Sequence, residues 1–167
     1  MRIGRFQPWG VEMAKLPGAV DEFLRGEKLA VAGVSRDAKQ PANLIFRRLS
    51  DSGHQVLPVN PKASEVEGVE CYPDVLSLPD DVHGVVVVTP PGASAQVVKE
   101  CGERGIGRVW FHRSFGNGSV SEEAIQACEA GGMDCIVGGC PMMFVEPVDI
   151  AHKCMRWWLQ RTGKVPK

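Results

Sequence analysis

Several short stretches of this chain hold residue types that could bind or transform a ligand. At 33–40 it reads GVSRDAKQ: Gly33 and Val34 for a tight turn, the Ser35 hydroxyl, and the cations of Arg36 and Lys39, ahead of Pro41 at a helix start. Backbone N–H groups at a helix start, joined by a hydroxyl and local cations, suit a phosphate. At 58–62, PVNPK offers Asn60, the rigid Pro61 and the Lys62 ammonium, which suits a further phosphate. At 88–92, VTPPG offers Thr89 and a wall of Pro90 and Pro91 that can bracket an adenine or a flexible arm by apolar contact. WFHRSFGNG at 110–118 supplies Phe111, His112 and Arg113, and GGCPMMF at 138–144 supplies Cys140 and two methionines. Their aromatic and methionine content predicts an apolar ligand surface or a subunit contact.

The turn at 33–40 is only part of a dinucleotide fingerprint. An NAD site asks for G-x-G-x-x-G and for an acid at the end of the second strand to hold the ribose hydroxyls. The chain has Gly33 alone, with Ser35 and Ala38 near the other positions, and Asn60-Pro61-Lys62 where the acid would stand. That weakens NAD and leaves NADP, whose extra phosphate could use Lys62. An ordinary tight turn is the plainer alternative.

A metal site built from His112, Cys140, His152 and Cys154 fits poorly: the spacing is irregular, and residues two apart on a helix diverge. Cys140 and His112 could form a nucleophile pair, yet no acid is evident beside them, and a buried structural cysteine is the better reading. No catalytic residue and no metal ligand is expected.

The elements that must position these loops follow from periodicity. Short apolar runs at 29–34, 55–59, 84–89, 108–112 and 134–138 read as five strands. Runs such as Val85 to Val88, apolar on both alternating faces, belong in a parallel sheet covered on both sides. Helical patterns at 41–52, 93–104 and 121–130 separate them, each stopped by a glycine, with Ser121 capping an acidic first turn. The crossover at 63–82, broken by Pro73 and Pro79, predicts at most a short helical turn. A last amphipathic helix at 146–161 is expected to pack across the sheet. The fold class is therefore α/β, a Rossmann-type doubly wound three-layer sandwich with a five-stranded parallel sheet, expected order 3-2-1-4-5. Ligands would lie beyond the carboxyl ends of the strands, at the switch point between the first and fourth.

The 167 residues suit a single domain at 19–162, preceded by an irregular arm at 1–18 and followed by a tail at 163–167. With 19 Lys plus Arg against 20 Asp plus Glu, the net charge of -1 gives no global field for nucleic acid or an anionic membrane. Six cysteines without CxxC spacing predict reduced, mostly packed thiols. No apolar run is long enough for a signal peptide or a membrane span, so a cytoplasmic protein is expected.

Together the segments VAGVSRDAKQPAN, VLPVNPKASEVEG with CYPDV, VVVVTPP, VWFHRSFGNGSVSEEA and GGCPMMFVEPVD resemble the CoA-binding domain proteins, stand-alone relatives of the N-terminal domain of the succinyl-CoA synthetase alpha subunit. The resemblance covers about residues 25–160. It implies coenzyme A, or an acyl-CoA, with phosphates against the turn of Gly33, Val34 and Ser35 and the neighbouring Arg36 and Lys39. It places Lys62 as the family's lysine after strand two, with Asn60 and Pro61 in its turn, and Thr89 and Pro90 along the groove. Phe111, His112 and Arg113 correspond to the strand-four contact segment. Cys140-Pro141 matches the synthetase loop after strand five, although Met142 and Met143 replace its glycine-containing continuation. The phosphohistidine domain and the beta subunit of the synthetases are not in these residues, so the expected role is a non-catalytic carrier, sensor or accessory domain, with a homo-oligomer or a partner subunit as company. A small NAD(P)-binding oxidoreductase or redox regulator is the alternative, and an interaction module using the arm and the Trp157-Trp158 helix is a third reading.

Overall fold

The computed structural model describes residues 17–113 and 118–164. In chain order its elements are α1 (Gly18–Leu24), β1 (Lys28–Ala32), α2 (Pro41–Asp51), β2 (Gln55–Val59), the short β3 (Glu65–Val66) and β4 (Val69–Glu70), and β5 (Gly84–Val87). They continue with α3 (Pro91–Glu103), β6 (Arg108–Phe111), α4 (Glu122–Ala130), β7 (Asp134–Val137), a 3-10 turn (Pro141–Met143) and α5 (Ile150–Arg161). The α/β class and the five-stranded all-parallel sheet are as the periodicity predicts. Pro41 opens α2 and Pro91 opens α3, each at a position whose missing N–H has no helical partner to lose. Ser121 caps α4 by accepting the Ala124 N–H.

The strand order differs from the expectation. The sheet runs β2-β1-β5-β6-β7, so the third major strand lies beside the first rather than outside the second. Pro58 supplies the physical reason. Its carbonyl points to the outer edge of β2, where it accepts only the Tyr72 N–H, and at that edge it has no N–H of its own to offer. A proline in that register confines β2 to the edge of the sheet. The chain closes the edge with a single parallel bridge between Val59 and Tyr72 and returns to β1 on its other side. The switch point therefore falls between β1 and β5.

Two apolar layers cover the sheet. Val20, Phe23, Ile45, Phe46, Trp110, Met143, Phe144 and Leu159 fill one face under α1, α2, the 3-10 turn and α5. Ala30, Val75, Val85, Val98, Val109, Phe111 and Cys128 fill the other under α3 and α4. Helix α1 was not expected; its core contacts come from Val20 and Phe23, with Leu24 beside them. The crossover at 63–82 contains a two-residue hairpin, β3 with β4, in place of a helical turn. Its turn residues Glu67 and Gly68 both have positive φ, 51° and 76°, as a tight hairpin of this hand requires.

Three further expectations are corrected. Cys128 and Cys135 form a disulfide between the end of α4 and β7, because the tight turn after α4 folds one back on the other; Cys71, Cys101 and Cys154 carry free thiols. Helix α5 starts at Ile150, and of its residues only Leu159 is fully buried, so it borders the core and does not cross the sheet. The aromatics and methionines after β6 and β7 mostly serve the core: Trp110, Phe111, Met143 and Phe144 are buried, with the Trp110 ring edge-on to Phe23 at 5.4 Å and its N–H donated to the Gly138 carbonyl. The arm at 1–16, the tail residues 165–167, and Ser114 to Asn117 of the fourth loop lie outside the described residues.

Candidate functional site

Beyond the carboxyl ends of β1 and β5 the surface opens into a groove with two lobes that share Gly33, Val88, Thr89 and Pro90. The first lobe, about 610 Å³, adds Asn60, Pro61, Lys62, Pro73 and Val97. The second, about 470 Å³, adds Ser35, Pro41, His112 and Ser119. The lobes meet where the turns after β1 and β5 touch. Gly33 has φ 107°, and a Cβ there would stand 2.7 Å from the Val88 carbonyl oxygen. Only glycine allows that approach.

The turn after β1 is fixed by side chains from three other segments. Asn43, fully buried in the first turn of α2, accepts the Ser35 N–H through Oδ1 and donates through Nδ2 to the Ser35 carbonyl. The same amide donates to Glu67 Oε1, which also receives Arg47 at 2.6 Å, and Arg47 in turn donates to the Ala38 carbonyl. The Asn43 hydrogen bond, with Arg47 beside it, holds the Glu67 carboxyl below the usual carboxylate range. Asn60 Nδ2 donates to the Val34 carbonyl, and Asn60 Oδ1 accepts the Lys62 N–H. Asn43 and Glu67 went unread in the sequence. The available signals were a polar residue three before the buried Phe46, on the apolar face of α2, and the Glu67-Gly68 pair between valines.

The residues expected at the site are distributed as follows. Gly33, Asn60, Pro61, Lys62, Thr89 and Pro90 line the first lobe, and Gly33, Ser35, Thr89, Pro90 and His112 line the second. The Ser35 N–H is taken by Asn43, and its hydroxyl oxygen accepts the Asp37 N–H. Arg36 and Lys39 are exposed on the loop beside the groove, and Lys62 is exposed at its rim. The Val34 and Phe111 side chains are buried in opposite core layers. Arg113 is half-buried after β6 and donates its N–H to the Gly139 carbonyl.

Charge in the groove is mixed, with Lys62 at the rim and two carboxylates, Asp74 and Glu100, in the lining. Its two carboxylates are committed to the protein: Glu100 accepts the Val75 N–H and the Gln96 amide, and Asp74 accepts the Ser77 N–H and hydroxyl. Burial, with the charge of His152 as a smaller cause, pushes His112 down to about 4, so the imidazole is neutral at pH 7. Burial pushes the Cys101 thiol up to about 12 and raises that of Cys71. Among the described residues no group of three His, Cys, Asp or Glu could hold a metal ion, and no helix is long and apolar enough to cross a membrane.

The family described as CoA binding domain matches residues 27–146, which hold the whole groove. The chain belongs to the CoA binding domain family. This domain is 35% identical over 99 residues to the alpha subunit of an ADP-forming acetate–CoA ligase II of Pyrococcus furiosus, covering 58% of this chain and 22% of that subunit. A hypothetical protein of Pyrococcus horikoshii superposes on it with TM-score 0.71 at 29% identity, over 81% of this chain and 97% of that one. The dinucleotide-forming acetyl-coenzyme A synthetase 1 of Ca. Korarchaeum cryptofilum superposes with TM-score 0.58 at 30% identity, over 67% of this chain and 26% of the synthetase. The CoA binding domain thus spans about a quarter or less of these ligase chains and nearly all of the small archaeal protein.

Proposed function

We propose that this domain binds coenzyme A or an acyl-CoA in the two-lobed groove and acts as a non-catalytic carrier, sensor or accessory component. The observation that carries the reading is the join at Gly33, Thr89 and Pro90, where a long ligand can pass from the Lys62 side of the switch point to the His112 side. CoA brings phosphates for Lys62, Arg36 and Lys39, an adenine for the walls of Pro61, Pro73 and Pro90, and a flexible arm for the second lobe. The side chain after β2 that would grip a ribose in an NAD site is Asn60, already spent on Val34 and Lys62. His112, neutral at pH 7, meets the second lobe as a hydrogen-bonding group without a charge. Relatives named as ligases hold this domain as a fraction of a longer chain, so a partner supplying the remaining chemistry belongs to the same reading.

Titration calorimetry with CoA, acetyl-CoA and NADPH tests it. CoA or acetyl-CoA should bind with a Kd of about 1–100 µM while NADPH does not, and Lys62→Ala should weaken binding about 5- to 10-fold, less at high salt. No heat with CoA at millimolar concentration, or tighter binding of NADPH, overturns the proposal.

A further inference from the structure

The two edges of the sheet are finished differently. On β2 the outer edge is closed by Pro58 and by the bridge from Val59 to Tyr72. Strand β7 has β6 as its one neighbour in the sheet, and its outer edge carries no proline and, over Cys135, Ile136 and Val137, no charge. Asp134 donates its N–H to the Gly107 carbonyl and Gly138 donates to that of Phe111. Cys135 and Val137 alternate with them and therefore turn their N–H and C=O groups away from β6. Among the described residues nothing accepts those two N–H groups. Natural sheets cover, charge or bend such an edge.

A cavity of about 310 Å³ lies along this edge, with Gly18 and Ala19 at the start of α1 on one side and Asp134, Cys135 and Ile136 on the other. Arg108 lines it too, donating to Glu22 at 3.2 Å, and its Nε is the one buried side-chain polar atom among the described residues without a hydrogen bond. Asp134 is exposed and enters no ion pair among the described residues. The arm at 1–16 joins the described chain at Pro17, one residue before the cavity wall. It carries Arg2, Arg5 and Lys15 against Glu12, a sign opposite to that of Asp134.

We propose that Val11 to Lys15 of the arm add a sixth strand to the sheet, antiparallel to β7 along its free edge. The direction follows from the tether: the arm must arrive at Gly18 beside the first residues of β7, so it runs against that strand. An antiparallel edge strand on an otherwise parallel sheet is a common arrangement. With Lys15 opposite Asp134, Ala14 faces Cys135 and Glu12 faces Val137, and these two pairs exchange the backbone hydrogen bonds that β6 leaves unused. Met13 then stands against Ile136 and Val11 beside Gly138, on the face of the sheet that α1 covers, where Lys15 brings a cation to Asp134. Leu16 and Pro17 remain for the turn into α1. A second copy pairing β7 to β7 would meet the same N–H groups, but it bears the loss of translational freedom that a tethered arm does not. A four-residue edge also falls well short of the roughly 800 Å² per partner of a stable complex.

Amide hydrogen exchange by NMR on the full chain tests this, with the β6 amides as the control for an intact sheet in each variant. The Cys135 and Val137 amides should exchange about 100-fold more slowly in the wild type than in Ala14→Pro, which has no N–H to give to the ladder. Lys15→Glu should speed exchange at Cys135 about 2- to 5-fold. Combining Lys15→Glu with Asp134→Lys should restore the wild-type rate, a result that loss of fold cannot imitate. Wild-type Cys135 and Val137 amides that exchange as fast as those of an unstructured peptide, protection that survives Ala14→Pro, or protection present only at concentrations where light scattering gives dimer mass, would overturn it.

Discussion

The turn after β1 and the helix α5 border the same face of the sheet, yet the first is gripped through its backbone by side chains from several segments and the second rests on little more than Leu159, Met155 and an Arg156 bond to the Met143 carbonyl. The turn's backbone at the junction of the two lobes is held by hydrogen bonds from Asn43 and Asn60 and by the close approach of Gly33 to Val88. Helix α5 is built so that one face stays available. The difference teaches that an exposed loop can be the more rigid element and a regular helix the looser one, because rigidity follows satisfied buried polar groups and close contact more than secondary structure.

Substitutions should separate the two regions by the size of their effects. The largest belongs to Gly33→Ala, which places a Cβ against the Val88 carbonyl at a positive φ; a loss of about 4 kcal/mol in chemical denaturation, with loss of CoA binding, is expected. Asn43→Ala removes three hydrogen bonds at a fully buried site and should cost about 3 kcal/mol, with hydrogen exchange at Ser35 rising before that of the sheet. A cost below about 1 kcal/mol for either substitution would show that the turn is not the anchored region.

His112 gives the next step. It is neutral in both states above pH 6.5; between that pH and about 4 the unfolded chain gains a proton that the folded chain refuses, so stability falls as the medium is acidified. The loss should reach about 2–3 kcal/mol at pH 4 relative to His112→Gln, measured by denaturation across the range. On α5 the effects should be smallest. Asp149 caps the helix by accepting the His152 N–H, and Asp149→Ala should lose about 1 kcal/mol, with the melting of the sheet barely shifted.

Much of this contrast was legible in the residues. The five apolar runs, Pro41 at a helix start and Ser121 as a cap each report local physics, and each appears in place; Pro91, expected in an extended wall, instead opens α3. The strand order went astray although its sign was present: Pro58 inside QVLPV is an edge-strand residue, and reading it so would have moved the third strand to the other side of β1. Glu67-Gly68 between valines was a hairpin signal hidden by the later prolines. Lys62, Thr89, Pro90 and His112 could be picked out by type, but the partition of the groove into lobes could not, since it depends on two turns 55 residues apart touching at Gly33 and Val88.

By itself the sequence determined the five major strands, the helices α2, α3 and α4 between them and the parallel sheet, because strand and helix periods, prolines and caps act within a few residues. Tertiary structure alone decided which turn is locked, that Ser35 gives its N–H to Asn43, that Cys128 meets Cys135, and that Trp157 and Trp158 face outward while Trp110 is buried. Those outcomes depend on which segments become neighbours, and chain-distant neighbours supply the hydrogen bonds and the burial that give a side chain its role.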